Sequence, residues 1–186
     1  KIIGVLWFYP RWIKDKFGGP VCIQGENYDT LTQFDLEAVP AKGALPTKTL
    51  YIECMMVVRS EQADYTGRGI GKGMIEHLIA WAKQNHWTRI EAGAISDIKP
   101  LMLWAGTYTV VRYQALGFEV VEGETTTDPG LLQGANSQKL GYHGPEFQRM
   151  WEAHYADVSD EEISRVYTMA LDLPQNDESS LSFPGR

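Results

Sequence analysis

Apolar and polar positions sort most clearly over residues 49–58, a strand with Ile52, Cys54, Met56 and Val58 on one face and Tyr51, Glu53, Met55 and Val57 on the other. The period then changes from two to about 3.6. Met74, Ile75, Leu78, Ile79, Trp81 and Ala82 form a broad apolar stripe, which predicts an amphipathic helix over about 71–84 lying against a sheet. Further strands are expected over 2–8, 89–95, 118–121 and 166–173, with a helix over 107–116. The first strand should stop at Tyr9-Pro10, because a proline cannot serve a central ladder. Residues 12–21, punctuated by Gly18-Gly19-Pro20, read as a loop, 21–36 loosely as another strand, and 40–46 as a loop. No internal repeat or low-complexity segment is present, so the chain reads as a single domain over 1–186.

Between the strand at 49–58 and the long helix stands Tyr65-Thr66-Gly67-Arg68-Gly69-Ile70-Gly71-Lys72-Gly73. Four glycines at alternate positions leave the backbone N–H groups unshielded. The helix that follows has no Asp, Asn, Ser or Glu in its first turn, and it carries Arg68 and Lys72 where its own partial charge is already positive. An external anion would satisfy the amides and the cations together. The segment therefore reads as a phosphate-binding turn.

Spacing narrows the kind of phosphate ligand. A Walker loop would need glycine at Thr66 and Ser or Thr at Gly73. A dinucleotide fingerprint fails in both registers, at Lys72 or at Met74. The turn resembles the Arg/Gln-x-x-Gly-x-Gly/Ala pattern with which acetyltransferases of the GNAT superfamily hold the pyrophosphate of coenzyme A. From Arg68 the pattern is complete, with Gly71 and Gly73. From Thr66, with Gly69 and Gly71, it departs at the first residue but sets the loop and helix as the family usually has them, and this register is preferred. Thr107-Tyr108-Thr109-Val110-Val111-Arg112-Tyr113-Gln114-Ala115-Leu116-Gly117-Phe118 is similar to the Tyr-x-x-x-Gly-Phe signature that closes the last core helix of the same family. Physically, Gly117 reads as a left-handed C′ residue with Phe118 opening the next strand. The resemblance covers roughly 1–122 and a terminal strand near 165–173.

What the resemblance implies is an α+β fold of α/β/α layers, with a mixed, mostly antiparallel central sheet and a V-shaped splay between two parallel strands. The segment at 2–8 resembles the second strand of that sheet, so the family's first strand and two helices stand outside this chain or are replaced. Residues 122–164 depart from the family core and read as an insertion: a loop at 125–130, a short helix opening at Pro145, and a capping box at Ser159-Asp160-Glu161-Glu162. The tail from Pro174 is polar and expected to fray.

Composition sets outer limits. The 186 residues and 21.0 kDa suit one domain with its own core, and 44% hydrophobic with 22% charged residues is ordinary for a globular protein. A net charge of −7 argues against nucleic acid as a partner and mildly favours a cationic substrate. Cys22 and Cys54 have neither disulfide density nor ligand spacing, which suits a reducing cytoplasm and gives no reason to expect a metal. No run approaches a membrane span, and the first eight residues lack a signal peptide's cleavage pattern.

The chemistry the resemblance implies is N-acetyltransfer: an acyl group passes from acetyl-CoA, the co-substrate, to an amine of a small molecule or protein by direct attack on the thioester. Thr66, Gly67, Arg68, Gly69, Ile70, Gly71 and Lys72 would hold the pyrophosphate. Val57, Val58 and Arg59 would pair with the pantetheine arm, and a backbone N–H at a bulge there would polarise the carbonyl. Tyr113 matches the family tyrosine that protonates the departing thiolate; its alternative is a core aromatic. Glu53 is the candidate base that deprotonates the amine; its alternatives are a partner for an arginine or a solvent-facing carboxylate. Arg59 and Arg68 could touch phosphate. His77, His86, His143 and His154 read as surface or satisfied core residues, although a substrate role stays open for the last two. Trp104, Trp151 and Tyr142 could line an acceptor pocket. A non-catalytic acetyl-CoA sensor of the same fold, and an unrelated nucleotide-phosphate binder sharing only the turn, remain alternatives, and a homodimer stays open.

Overall fold

The computed structural model describes residues 3–17, 48–57, 59–60, 63–65 and 67–174. The expected strand at 21–36, the loop at 40–46, Val58, Thr66, the side chain of Arg59 and the tail from 175 lie outside the described residues.

Five strands form one mixed sheet in the order β1-β2-β5-β7-β6. β1 (Gly4–Pro10) runs antiparallel to β2 (Thr49–Val57), and β2 runs parallel to β5 (Arg89–Ile95). β7 (Arg165–Asp172) is antiparallel to both β5 and β6 (Glu119–Thr127). Two short strands, β3 (Arg59–Ser60) and β4 (Ala63–Asp64), pair as a separate hairpin after β2. The fold is the mixed, mostly antiparallel α+β arrangement expected, with the parallel pair β2–β5 inside the sheet.

Helix α1 (Arg11–Phe17) follows β1 directly, where a loop was expected. Pro10 closes the strand opposite Leu50 on a sheet edge, a position that tolerates proline, and it stands just before a helix start, where its fixed φ is suited. The run Arg11 to Phe17 holds no glycine or proline that would break a helix.

The central helix α2 (Ile70–Gln84) buries Gly71, Ile75, Leu78 and Ala82 against Leu50, Ile52 and Ile90 of the sheet. Each such aliphatic side chain contributes about 1.5–3 kcal/mol by leaving water. The helix closes on His86, the one non-glycine residue with positive φ among the described residues (60°), and Trp87 N–H returns to Ala82 C=O at 3.0 Å. α1 lies on the opposite face of the sheet, where Arg11 meets Glu91 of β5 and Lys14 meets Tyr51 of β2.

The alternation expected along β2 breaks at Glu53. Trp7 of β1 faces Cys54 while Phe8 faces Ile52, so Glu53 is the extra residue of a β-bulge. Past it the faces exchange: Met55 joins Leu50 and Ile52 in the core and Met56 becomes exposed, the reverse of the expected sides.

After β5 come α3 (Lys99–Ala105), which was not expected, and α4 (Val110–Gln114), a shorter form of the helix expected over 107–116. Gly117 has the expected left-handed backbone, φ 87°, and Phe118 N–H bonds Tyr113 C=O at 3.1 Å. The region at 122–164 is more ordered than its loop signals suggest. β6 runs on to Thr127, followed by α5 (Pro129–Lys139), α6 (Pro145–His154) and α7 (Asp160–Ser164). These helices and α3 bury a second cluster around Leu101, Leu131, Trp151 and Ile163. Ser159 caps α7 by accepting from Glu162 N–H at 3.2 Å, as its motif implied.

Candidate active site

The glycine turn delivers an open helix N-terminus. Gly67 and Gly69 are left-handed, with φ 71° and 77°, and the space around both is clear of protein within 4 Å of where a Cβ would stand. Gly69 occupies the N-cap of α2 with no side-chain cap and no acidic residue in the first turn. The first helical bond runs from Gly73 N–H to Gly69 C=O at 2.9 Å, so the amides before Gly73 lie ahead of the helical ladder. This geometry fits a diphosphate: donors, dipole and an unfilled cradle point the same way. The cations are arranged less simply than expected. Lys72 pairs with Glu76 one turn on, and Arg68 lies 5.1 Å from the Tyr65 ring centroid. Gly71 serves packing, since a Cβ there would stand 2.6 Å from the Tyr108 hydroxyl and 2.9 Å from Met55 Sδ. That contact docks the turn against β2.

Beside the turn the two parallel strands part. Their pairing ends at Ile52 and Ala92, one residue before the bulge. The backbone of 106–109 enters the gap: Met55 N–H donates to Gly106 C=O at 2.7 Å and Ile95 N–H to Tyr108 C=O at 3.2 Å. The Thr107 hydroxyl donates to Gly93 C=O at 2.8 Å. Tyr113 points into the same gap from α4 and is only 1% exposed. Burial pushes its phenol well up, a hydrogen bond with Thr107 acts the other way, and Tyr51, Tyr108 and the Cys54 thiol stand close enough to add to the rise. Tyr113 is therefore a protonated group throughout the neutral range. The bulge lies at Glu53, four residues before the Val57 position where it was expected. Val57 faces Gly4 of β1, and Arg59 faces Asp64 in the β3–β4 hairpin.

Glu53 lies on the α1 side of the sheet, half-buried, accepting a hydrogen bond from the Tyr9 hydroxyl. The Tyr9 and Tyr51 rings are 6.0 Å apart. Arg11 and Arg89 are both engaged by Glu91, the latter at 2.8 Å, and Arg89 also meets Asp172 at 2.7 Å. The Tyr51 phenol is pushed up to about 12, chiefly by burial and then by the Glu53 carboxylate, with Arg11 opposing. Because the folded value lies above the ordinary 10.0, the associated stability is fully present below about pH 10 and is lost as pH rises through about 12. Tyr51→Phe is accordingly expected to flatten the alkaline limb of a urea-unfolding pH series by about 3 kcal/mol, two pH units' worth. A limb of unchanged steepness would mean that Tyr51 ionises freely in the folded protein.

Residues 1–99 match the sequence profile of the acetyltransferase (GNAT) family. The chain belongs to that family. The match ends before Tyr113, so the helix-closing signature rests on its own residues. Among solved structures the GNAT chain is similar to an IAA acetyltransferase from Bacillus cereus ATCC 14579, at 21% identity over 68% of this chain and 63% of that one, with a TM-score of 0.36. It is also similar to the ribosomal-protein-S18-alanine N-acetyltransferase from Escherichia coli, at 15% identity over 70% and 58% of the two chains, TM-score 0.39. A third similarity is to a GCN5-related N-acetyltransferase from Kribbella flavida, at 17% identity over 92% and 60%, TM-score 0.41. The chain spans about three fifths of the length of each of these structures. No curated protein matches it.

The remaining residues of this GNAT chain divide between packing and surface. Trp151 is buried in the second cluster, donating to Gln138 Oε1 at 2.8 Å, which removes it from any acceptor pocket. Trp104 is 41% exposed and lies edge-on to His143, whose Nε2 meets the Ser137 hydroxyl at 2.9 Å; Tyr142 is exposed. His77 bonds Gly73 C=O on the exposed side of α2, and His154 lies edge-on to Tyr155. Among the described residues no three His, Cys, Asp or Glu side chains gather as a metal site would require, and no helix is long and apolar enough to cross a membrane. Tyr9, Tyr51 and Thr107 carry no motif of their own. Tyr51 precedes Glu53 by two residues and Thr107 precedes Tyr113 by six, whereas Tyr9 is brought to Glu53 by the register of β1 with β2.

Proposed function

We propose that this chain is an acyl-CoA-dependent N-acyltransferase that moves an acetyl group from acetyl-CoA to a primary amine of a small molecule or a protein by direct attack, acting in the cytoplasm. The observation that carries the reading is the uncapped left-handed glycine turn at the start of α2, docked beside the point where β2 and β5 part. In this reading Gly67 to Lys72 hold the pyrophosphate through backbone amides, and the end of β2 at Val57, with Val58 and Arg59, takes the pantetheine arm. Glu53 removes the proton of the acceptor ammonium. Tyr113, held protonated by burial, supplies a proton to the thiolate as the C–S bond breaks.

One observation favours a second reading, that of an acetyl-CoA sensor without turnover. The Met55 amide, the first N–H past the bulge with its ladder partner gone, is already taken by Gly106 C=O. Release of free CoA thiol from acetyl-CoA with a panel of primary amines separates the two. The transferase releases thiol in proportion to amine acetylated, and Tyr113→Phe lowers that turnover about tenfold or more while leaving the acetyl-CoA thermal shift in place. A thermal shift without thiol release would identify the sensor. Neither signal, from folded protein, would remove coenzyme A from the account.

A further inference from the structure

The gap between β2 and β5 already holds a guest from the chain itself. Residues 106–109, the link between α3 and α4, engage the groups that the parting strands leave over. Met55 N–H donates to Gly106 C=O at 2.7 Å and Ile95 N–H to Tyr108 C=O at 3.2 Å, while Gly93 C=O accepts from the Thr107 hydroxyl at 2.8 Å. We propose that this segment is a displaceable plug, an internal stand-in for the acyl-CoA arm that yields the gap when the coenzyme loads at the glycine turn; this rests on the transferase reading above.

Two occupants compete for one set of backbone groups. An acyl-CoA arm at the end of β2 needs the Met55 amide, and each amide offers a single N–H. Thr109 is extended and bridges Ile95 as a parallel strand would, so the plug sits in the gap much as a strand of the sheet would. The plugged state is imperfect. The Thr109 hydroxyl is fully buried and has no hydrogen-bond partner among the described residues, an arrangement that proteins rarely keep. Gly106 is left-handed, φ 66°, where α3 ends. A glycine there can change its backbone angles more freely than any other residue, which places a hinge at the head of the plug.

The plug also touches the phosphate turn. A Cβ on Gly71 would stand 2.6 Å from the Tyr108 hydroxyl, so the turn rests directly on a side chain of the plug. The Tyr108 ring lies edge-on to Tyr113, with 5.6 Å between centroids. Filling the turn and moving the plug are therefore linked through one phenol, which also packs against the tyrosine that would protonate the thiolate. A coenzyme that must displace the plug binds with an affinity reduced by the fraction of chains already open. Weakening the plug accordingly tightens binding, the reverse of what a fixed wall of the site would do. The Met55 contact that a sensor would keep is here the contact broken on loading.

The test locks the plug and then loosens it. An ideal Cβ at position 106 stands 3.1 Å from Cys54 Sγ, within reach of a disulfide. Gly106→Cys in a Cys22→Ser background leaves Cys54 as the only other cysteine, and oxidation ties position 106 to β2. The oxidised chain is expected to lose the acetyl-CoA thermal shift, and the reduced chain to recover it. Thr107→Val removes the bond to Gly93 C=O and is expected to bind acetyl-CoA about fivefold more tightly by titration calorimetry, with a thermal melt showing that it is folded. Equal binding by the oxidised and reduced forms would overturn the proposal, and so would an affinity in Thr107→Val no tighter than the parent's. Should the disulfide fail to close, the Thr107→Val titration decides alone. Either overturning result, with the parent chain still stabilised by acetyl-CoA, spares the transferase reading. A folded parent chain without any acetyl-CoA shift sinks the two together.

Discussion

Gly69→Asp is expected to abolish stabilisation by acetyl-CoA while leaving the fold in place. Gly69 sits at the N-cap of α2 with φ 77°. A left-handed backbone costs a residue with a Cβ about 1–2 kcal/mol, and aspartate is among the side chains that tolerate it best. The same aspartate supplies a carboxylate to a helix start that has none, worth about 0.3–1 kcal/mol against the dipole. Strain and charge therefore nearly cancel, and the melting temperature without ligand should change by a few degrees at most. Binding is another matter, because a fixed negative charge would then stand where the diphosphate must sit. At about a hundred times its Kd, acetyl-CoA should stabilise the parent protein by about 2.7 kcal/mol, a rise of several degrees. An affinity loss of about a hundredfold reduces that to a few tenths, below detection in a thermal shift. Gly69→Asn carries similar backbone strain without the charge and is expected to lose less, which separates repulsion from geometry. An acetyl-CoA shift in Gly69→Asp equal to the parent's would mean that the turn does not hold the phosphates.

What could be read from the residues alone follows from how local each signal is. The α2 stripe and β5 were legible because a period repeated over seven to fifteen residues, set by one neighbouring surface, leaves its mark in one segment. The same holds for Gly117 and for the uncapped turn, where a single residue's conformational freedom decides the geometry. The bulge at Glu53 leaves no such mark, because it is a property of two strands and exists only in the register with β1. Residues 125–130 show a different failure. Thr125, Thr126 and Thr127 are good strand formers, and Asp128 and Pro129 are helix-start residues; Asp128 accepts from Gly130 N–H at 2.8 Å at the head of α5. One stretch thus ends a strand and starts a helix, and the two sets of signals together imitate a loop. At the site, Glu53 and Tyr113 could be nominated from position and motif. Tyr9 lies 44 residues from Glu53 and reaches it only through the register of β1 with β2, which no spacing rule predicts.

Glu53→Gln is the second large effect expected, a fall in kcat of about a hundredfold with acetyl-CoA binding intact. The substitution keeps the length of the side chain and an oxygen that can accept from the Tyr9 hydroxyl, so the bulge and its hydrogen bond survive. It removes only the ability to take a proton. An acceptor amine is almost wholly ammonium at neutral pH, and without a base it must be deprotonated by solvent before it can attack. Two features of the variant's kinetics should therefore move together. Turnover should fall most at pH 7 and recover toward the parent's as pH rises toward the amine's own pKa, where the free base is already present. The acetyl-CoA thermal shift should stay put, since Glu53 faces α1 and the phosphate turn belongs to α2. A purely structural carboxylate would behave otherwise: its loss would lower the melting temperature and depress turnover equally at every pH. Tyr9→Phe distinguishes holding from proton transfer, because it leaves the carboxylate basic but unanchored, and a fall in kcat smaller than that of Glu53→Gln is the result expected.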